Sequence, residues 1–272
     1  AFQLEKRGYA LCSGSQVIEH ARARKVENEI ELVKAGCQTT MDAMRYLHSF
    51  IRPGISENML WSKLHEYNIA VGGEYVETRL LNSGARTSPW MQESSTKVID
   101  GGDLIALDSD CTGPFGYFID ISRTWHCPRD GGVYSEDDKA KFRKQQDLHK
   151  YALEQLSYNM DMVKPGMTLR EISEKAWKIP DKFLARRYAL MAHGNGINGE
   201  YPYIYHSEDW PTSGYDGVLE EGMTISFESF IAQDDEDGVK CEEHCVIGPE
   251  GVENLTGCLE FCPYLIGKEL PW

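Results

Sequence analysis

Apolar positions recur three and four residues apart over 21–51, at Ile30, Val33, Cys37, Met41, Met44 and Leu47. That spacing predicts a long amphipathic helix, which Pro53-Gly54 stops. Ser56 predicts the N-cap of a second helix that runs to Gly72-Gly73. Upstream, residues 1–24 carry no strong period and read as an entry strand or linker. Residues 74–100 hold short strand-like pieces around NSGARTSPWMQ. From Leu104 to Trp125 the pattern becomes a hairpin: an apolar run, a Gly113-Pro114 turn, then aromatic and β-branched residues. Ser135, with Asp138 three residues later, opens another long helix to about Met160. After Pro165-Gly166, Thr168 and Glu171 open the helix LREISEKAWKI. A second hairpin pairs MTISFESFIA (223–232) with GVKCEEHCVI (238–247) through the acidic turn QDDED.

The order repeats. A long helix, Pro-Gly-Ile-Ser at 53–56, a helix and an acidic hairpin are echoed by a long helix, Pro-Gly-Met-Thr at 165–168, a helix and an acidic hairpin. The reading is an α+β chain of two pseudo-symmetric helix–helix–hairpin halves, one domain over 25–272, with a metal site between the halves.

The 272 residues, 41% of them hydrophobic, suffice for a substantial core. No apolar run approaches the roughly 20 residues that span a bilayer. A formal net charge of −15 speaks against nucleic acids and anionic membranes as partners and leaves room for a cationic or zwitterionic substrate. The eight cysteines form no CxxC pair, so they read as mostly reduced, buried thiols of a cytoplasmic protein rather than as zinc ligands. The first residue is Ala, which leaves room for a longer parent chain.

The acidic hairpins carry the chemistry. Asp108 and Asp110 are two apart and would share one strand face, with Asp120 returning on the partner strand. Like charges in an apolar hairpin repel and resist desolvation. One or two bound divalent cations resolve that conflict; acids turned to water are the alternative. Glu228 lies on the second hairpin's first strand, and Glu242 and Glu243 on its return. His193, among glycines in MAHGNGING, is the imidazole candidate; His20, His48, His65 and His149 read as solvated or capping groups. Oxygen ligands with one imidazole suit iron, manganese, cobalt or zinc.

In this order, Asp in the first hairpin, Asp before Ser-Arg-Thr, HGxG, Glu after an apolar strand and GVKxE, the motifs resemble the pita-bread metalloenzymes over about 25–255. That superfamily includes methionine aminopeptidase, aminopeptidase P, prolidase and creatinase. The resemblance implies a central antiparallel sheet, a homodimer and two divalent metal ions on Asp108, Asp120, His193, Glu228 and Glu242. Glu242 is favoured over Glu243 by its place after GVKC.

The chain departs from the peptidases. It has Asp108-Ser109-Asp110 for Asp-x-Gly, Gly199 where peptidases carry a second His, and Glu228-Ser229-Phe230 for Glu-Pro-Gly. These departures are similar to the dimethylsulfoniopropionate lyase branch, as are Tyr188 five before His193 and Glu-Tyr-Pro after HGxG. That branch implies Asp110 as a further ligand, β-elimination to dimethyl sulfide and acrylate, and aromatic side chains holding the sulfonium. Trp90, Tyr117, Tyr188, Tyr201 and Tyr203 are the candidates. Its general base, an Asp, falls on Gly199, so Tyr188 or Glu200 would substitute, or another small zwitterion is the substrate. The alternative is an Xaa-Pro-type aminopeptidase or dipeptidase acting on short peptides. The branch also implies an extra N-terminal domain, so this chain is expected to be the catalytic half of a longer parent.

Overall fold

The computed structural model describes residues 2–233, 237–257 and 262–272. Helices α1 (Phe2–Glu5), α2 (Ser15–Ala23), α3 (Glu27–His48) and α4 (Glu57–Ala70) open the chain. Strands β1 (Tyr75–Val76), β2 (Leu81–Ser83), β3 (Leu104–Asp108), β4 (Cys111–Thr112), β5 (Phe118–Ile119) and β6 (Ser122–His126) follow. Then come α5 (Glu136–Met162), α6 (Leu169–Lys175), α7 (Asp181–Leu184), β7 (Leu190–Asn195), β8 (Gly199–Tyr205) and α8 (Trp210–Ser213). Strands β9 (Thr224–Ala232), β10 (Gly238–Gly248) and β11 (Gly251–Asn254) complete the order.

All strand pairings are antiparallel, in sheets ordered β2-β3-β6, β1-β4-β5 and β11-β10-β9-β7-β8. Side chains stitch β6 to β10. Thr124 Oγ1 donates to the Lys240 carbonyl at 2.8 Å and accepts from its N–H at 3.0 Å. The buried Arg123 guanidinium reaches the Glu242 carbonyl at 2.6 Å and the Glu243 carboxylate at 2.9 Å.

The predicted repeat is present down to individual hydrogen bonds. Gly54 and Gly166 take matching left-handed φ values of 87° and 86°, a region that favours glycine. Gly54 N–H donates to the Ile99 carbonyl, and Gly166 N–H to the Leu219 carbonyl. Ser56 bridges Val98 as Thr168 bridges Val218. Both caps hold: Ser56 accepts from Met59 N–H, and Thr168 from Glu171 N–H. The predicted apolar stripe of α3, Val33 to Leu47, is buried as read.

Four expectations change. Residues 1–24 are not a strand or linker, because Ser15–Ala23 is helical. Its apolar Val17 and Ile18 are exposed, which hid any period. The helix read over 21–51 starts at Glu27. Lys25 N–H bonds the Gly222 carbonyl, so the chain is extended there before Glu29 recaps it through Val26 N–H. The first hairpin is two short ladders, since β3 pairs β6 while β4 pairs β5. The break falls at Ser109 and Asp110, whose φ is 39°. Helix α6 stops at Lys175, before Ala176 turns extended and Trp177 N–H donates to Asn159 Oδ1. Of the acidic turn QDDED, residues 234–236 lie outside the described residues. Cys258 lies outside them too, while six other cysteines are free and buried and Cys12 is exposed.

Glu57 anchors the first half. Fully buried at the start of α4, it accepts from the backbone and hydroxyl of both Ser83 and Ser95, at 2.6–3.0 Å. Glu57→Ala strands four donors. It should lower unfolding free energy by about 3 kcal/mol, read as a drop in the urea midpoint; a midpoint equal to the parent's would refute the anchor.

Candidate metal centre

The site forms where β3, β6, β7, β9 and β10 converge. In the β9–β10 ladder Glu228 stands directly opposite Glu242. Like charges in that position are destabilising unless something positive lies between them. His193 on β7 pairs with Ser226 on β9, and this register brings its ring over the two glutamates. Asp108 ends β3 opposite Ser122 on β6. Asp120 sits between the two ladders of the first hairpin.

The His193 ring is the centre of the arrangement. Its Nε2 lies 3.5 Å from Asp120 Oδ2, 3.5 Å from Glu228 Oε1 and 3.5 Å from Glu242 Oε1. Its Nδ1 is 3.1 Å from the Gly194 carbonyl. Burial disfavours charge on the ring, but without a cation the carboxylates of Asp120, Glu242 and Glu228 outweigh it and hold the ring protonated well above its ordinary range, a proton that a cation at Nε2 would displace. Asp120 Oδ1, Glu228 Oε1 and Glu242 Oε1 are buried and have no hydrogen-bond partner. Burying an acceptor unpaired costs free energy. Two of these, Glu228 Oε1 and Glu242 Oε1, face His193 Nε2, and the third belongs to Asp120 beside them. A divalent cation would satisfy them, and the oxygen-plus-imidazole donor set suits iron, manganese, cobalt or zinc. The residues fit a metal centre. Ligand atoms of Asp120, His193 and Glu242 all fall within 4.8 Å of one another.

Electrostatics agree. Burial, then Asp108 and Glu242, pushes the Asp120 carboxyl well above its ordinary range. Burial also raises Asp108. Burial with the charge of Asp108 pushes Asp110 up to about 8. Burial takes Glu228 to about 7, against the pull of Lys240. Burial works the same way on Glu242, but Lys240 and His193 outweigh it and hold that carboxyl well below its usual range. Without cations, then, the pocket stores protons, and bound cations would displace them.

A cavity of about 230 Å³ opens onto this cluster, lined by Asp108, Asp110, Asp120, His193, Glu228, Tyr188, Gly199 and Tyr203 among others. Glu242 lies behind it, fully buried. Glu243 faces the other way, onto Arg123 and Thr256. Asp110 reaches the cavity by a left-handed backbone rather than by the strand alternation expected, and its carboxylate accepts from Thr78 Oγ1.

The other sequence candidates are placed elsewhere. Glu200 turns away from the cavity into ion pairs with Arg22 at 2.5 Å and Lys25 at 3.1 Å. Tyr201 stacks on His20, with ring centroids 4.1 Å apart. Tyr117 donates its hydroxyl hydrogen to Glu29. Trp90 lies one layer back, its ring on Phe230 and near the Lys240 ammonium. Tyr188 and Tyr203 are the two proposed aromatics that line the cavity, and Tyr203 donates to the Gly199 carbonyl at 2.9 Å. His149, read as solvated or capping, is buried in the core.

Sequence reasoning passed over Lys240 and Ser122. Lys240 Nζ lies 2.8 Å from Glu228 Oε2 and 3.0 Å from Glu242 Oε2. Ser122 Oγ lies 2.7 Å from both Asp108 Oδ1 and Glu242 Oε2. The signal for Lys240 was its two-residue spacing from Glu242 on a strand.

Comparison with known proteins gives the same picture. Over 271 residues the chain is 34% identical to dimethylsulfoniopropionate lyase DddP of Roseovarius nubinhibens, covering 97% of this chain and 58% of that protein. It is 28% identical over 244 residues to the Xaa-Pro dipeptidase of Pyrococcus furiosus, covering 88% of this chain and 65% of that one. The chain thus spans under two thirds of the length of these relatives. The solved structure of prolidase from Pyrococcus furiosus superposes with a TM-score of 0.72 at 27% identity, over 89% of this chain and 67% of that one. The model of metallopeptidase family M24 matches residues 31–249. With its pita-bread fold and a family match over most of its length, the chain belongs to metallopeptidase family M24.

Proposed function

We propose that this chain is the catalytic part of a metal-dependent carbon–sulfur lyase acting on dimethylsulfoniopropionate or a closely related small zwitterion. The observation that carries the reading is the third aspartate: Asp110 enters the cavity beside Asp108, where the peptidase pattern has glycine. The likeness to a dimethylsulfoniopropionate lyase over 97% of the chain supports it. A small, strongly acidic cavity suits a cationic substrate.

In this reading Asp108, Asp110, Asp120, His193, Glu228 and Glu242 hold two divalent ions. When bound, these supply Lewis acidity at the substrate carboxylate and make the proton α to it more acidic. Tyr203 presents its ring to the sulfonium. Gly199 offers no base and Glu200 is locked away, so Tyr188 Oη is the proton acceptor among the candidates. As the phenolate, its own proton released to solvent through the cavity, Tyr188 takes the proton from the α-carbon; that C–H electron pair forms the carbon–carbon double bond, and the carbon–sulfur pair departs with dimethyl sulfide, leaving acrylate. Without cations the Glu228 charge and burial keep Tyr188 a phenol; neutralising the ligand set relieves that push. A homodimer and a cytoplasmic setting, with reduced thiols, belong to the same reading.

Xaa-Pro dipeptide hydrolysis is the second reading, favoured by the prolidase-like fold and ligand set. The place of the peptidases' second His is Gly199, which weakens it.

Metal-reconstituted protein given dimethylsulfoniopropionate should release dimethyl sulfide into the headspace, and Asp120→Ala should not. No sulfide from a sample with confirmed bound metal would overturn the substrate and bring proline-ending dipeptides forward. Tyr188→Phe should cut turnover about 100-fold with metal content unchanged. A Cβ at Gly199 would meet the His193 ring at 3.7 Å, ordinary contact. Gly199→Asp therefore fits, and should raise lyase turnover at least about tenfold; a fall would argue against a base at that wall. Protons on Asp110, at about 8, and Glu228, at about 7, compete with metal. Metal affinity should therefore weaken as pH drops through that window, with protons released on binding. Calorimetry in two buffers of different ionisation enthalpy measures both, and a pH-independent affinity would contradict the cluster.

A further inference from the structure

Lys240 has no exposed surface, and all its ammonium hydrogens are committed inside the ligand cluster. Nζ lies 2.8 Å from Glu228 Oε2, 3.0 Å from Glu242 Oε2 and 2.9 Å from Ser122 Oγ, with Asp108 Oδ2 at 3.6 Å. The rings of Trp90, at 5.5 Å, and Tyr188, at 5.8 Å, stand beside it. In each glutamate the division of labour is the same. Oε2 is held by Lys240, while Oε1 has no hydrogen-bond partner and faces His193 Nε2 at 3.5 Å.

We infer that Lys240 is a positioning residue for the metal centre: it pins the outer oxygen of both glutamates so that their inner oxygens face one cation site. Two physical arguments support this. Glu228 and Glu242 face each other across β9 and β10, so without a fixed donor their repulsion would rotate them apart. The aspartates 108, 110 and 120 and these two glutamates also carry one more negative charge than two divalent cations neutralise, and the fully buried ammonium supplies the balance from behind the cavity. The inference rests on the ligand set and not on the lyase reading.

Two effects of removing Lys240 oppose each other. Coulomb attraction alone predicts that a more negative site binds a divalent cation more tightly. Loss of an orienting partner predicts weaker binding, typically by about 10- to 100-fold. The experiment is calorimetric titration of the whole metal-free chain with manganese(II), with circular dichroism to verify the fold. Lys240→Met should weaken binding by about 10- to 100-fold, and Lys240→Arg, which restores charge and donors, should recover part of that loss. Parent-like or tighter binding by Lys240→Met overturns the inference, as does a loss that arginine does not reduce. If the methionine variant does not fold, Lys240→Gln carries the same reading: weaker binding supports pinning by charge, and parent-like binding overturns it. Because the readout is metal affinity, a chain that releases no dimethyl sulfide leaves the result intact.

Discussion

Two glutamates that face each other across a ladder, with three aspartates arriving from another hairpin, set the terms for the rest of this molecule. Buried carboxylates repel one another, and the interior screens them poorly. Left alone, they would take up protons or pull the strands apart. The structure counters with groups fixed by backbone: His193 held from Gly194, Ser122 between two acids, and Lys240 beneath both glutamates. Even so, one oxygen each of Asp120, Glu228 and Glu242 stays without a hydrogen-bond partner, the two glutamate oxygens facing His193 Nε2. That residue of unmet charge is the physical case for cations, and it is independent of any likeness to other proteins.

Holding such a cluster requires strands that cannot slide. The repeated halves provide this. Each Pro-Gly turn is tied back to a strand-like segment by the same pair of main-chain bonds, and each following helix is capped by a hydroxyl. Between the halves, Arg123 and Thr124 bind β10 through its own carbonyls and amides, so β6 and β10 keep register although no ladder joins them. Glu243 shows how alternation divides labour on one strand: its neighbour Glu242 faces His193 in the acidic cluster, while it neutralises Arg123 on the other face. Two adjacent acids thus serve separate ends, one chemical and one architectural.

Much of this was legible in the sequence. Long periodic stretches such as α3 and α5, caps at Ser56, Ser135 and Thr168, and the β9–β10 hairpin follow from local rules that tertiary contacts reinforce. The acidic residues of the site were also legible, because carboxylates within apolar strands violate those rules and so stand out. Less legible were features that depend on distant partners. Helix α2 lacks a buried stripe and rests on β8 with few apolar residues. The first hairpin breaks because Asp110 takes a left-handed φ that no residue pattern announces. Glu200 looked free beside Gly199, but its partners Arg22 and Lys25 lie far away in sequence. Aromatic residues were read least well. Trp90, Tyr117 and Tyr201 each satisfy packing or hydrogen bonds outside the cavity, and composition does not distinguish that use from ligand contact.

Gly199 is where fold and chemistry part. The carboxylates and imidazole brought together by β3, β7, β9 and β10 would hold cations in one place, and the same cations could serve elimination or hydrolysis. What separates these reactions is the group that meets the substrate from the β8 wall. At that wall this chain offers a bare backbone, and the adjacent carboxylate cannot replace it: swinging Glu200 inward would strip Arg22 and Lys25 of their partner, leaving the buried Lys25 ammonium without its carboxylate. For elimination, a proton acceptor would have to come from another wall, and Tyr188, two residues ahead of β7 and next to Glu228, is the sequence candidate the cavity retains. Uncompensated carboxylates hold it as the phenol, which cannot take a proton, so its competence as the phenolate would depend on the charge state of the whole cluster. Metal loading and proton transfer are, on this arrangement, a single electrostatic problem.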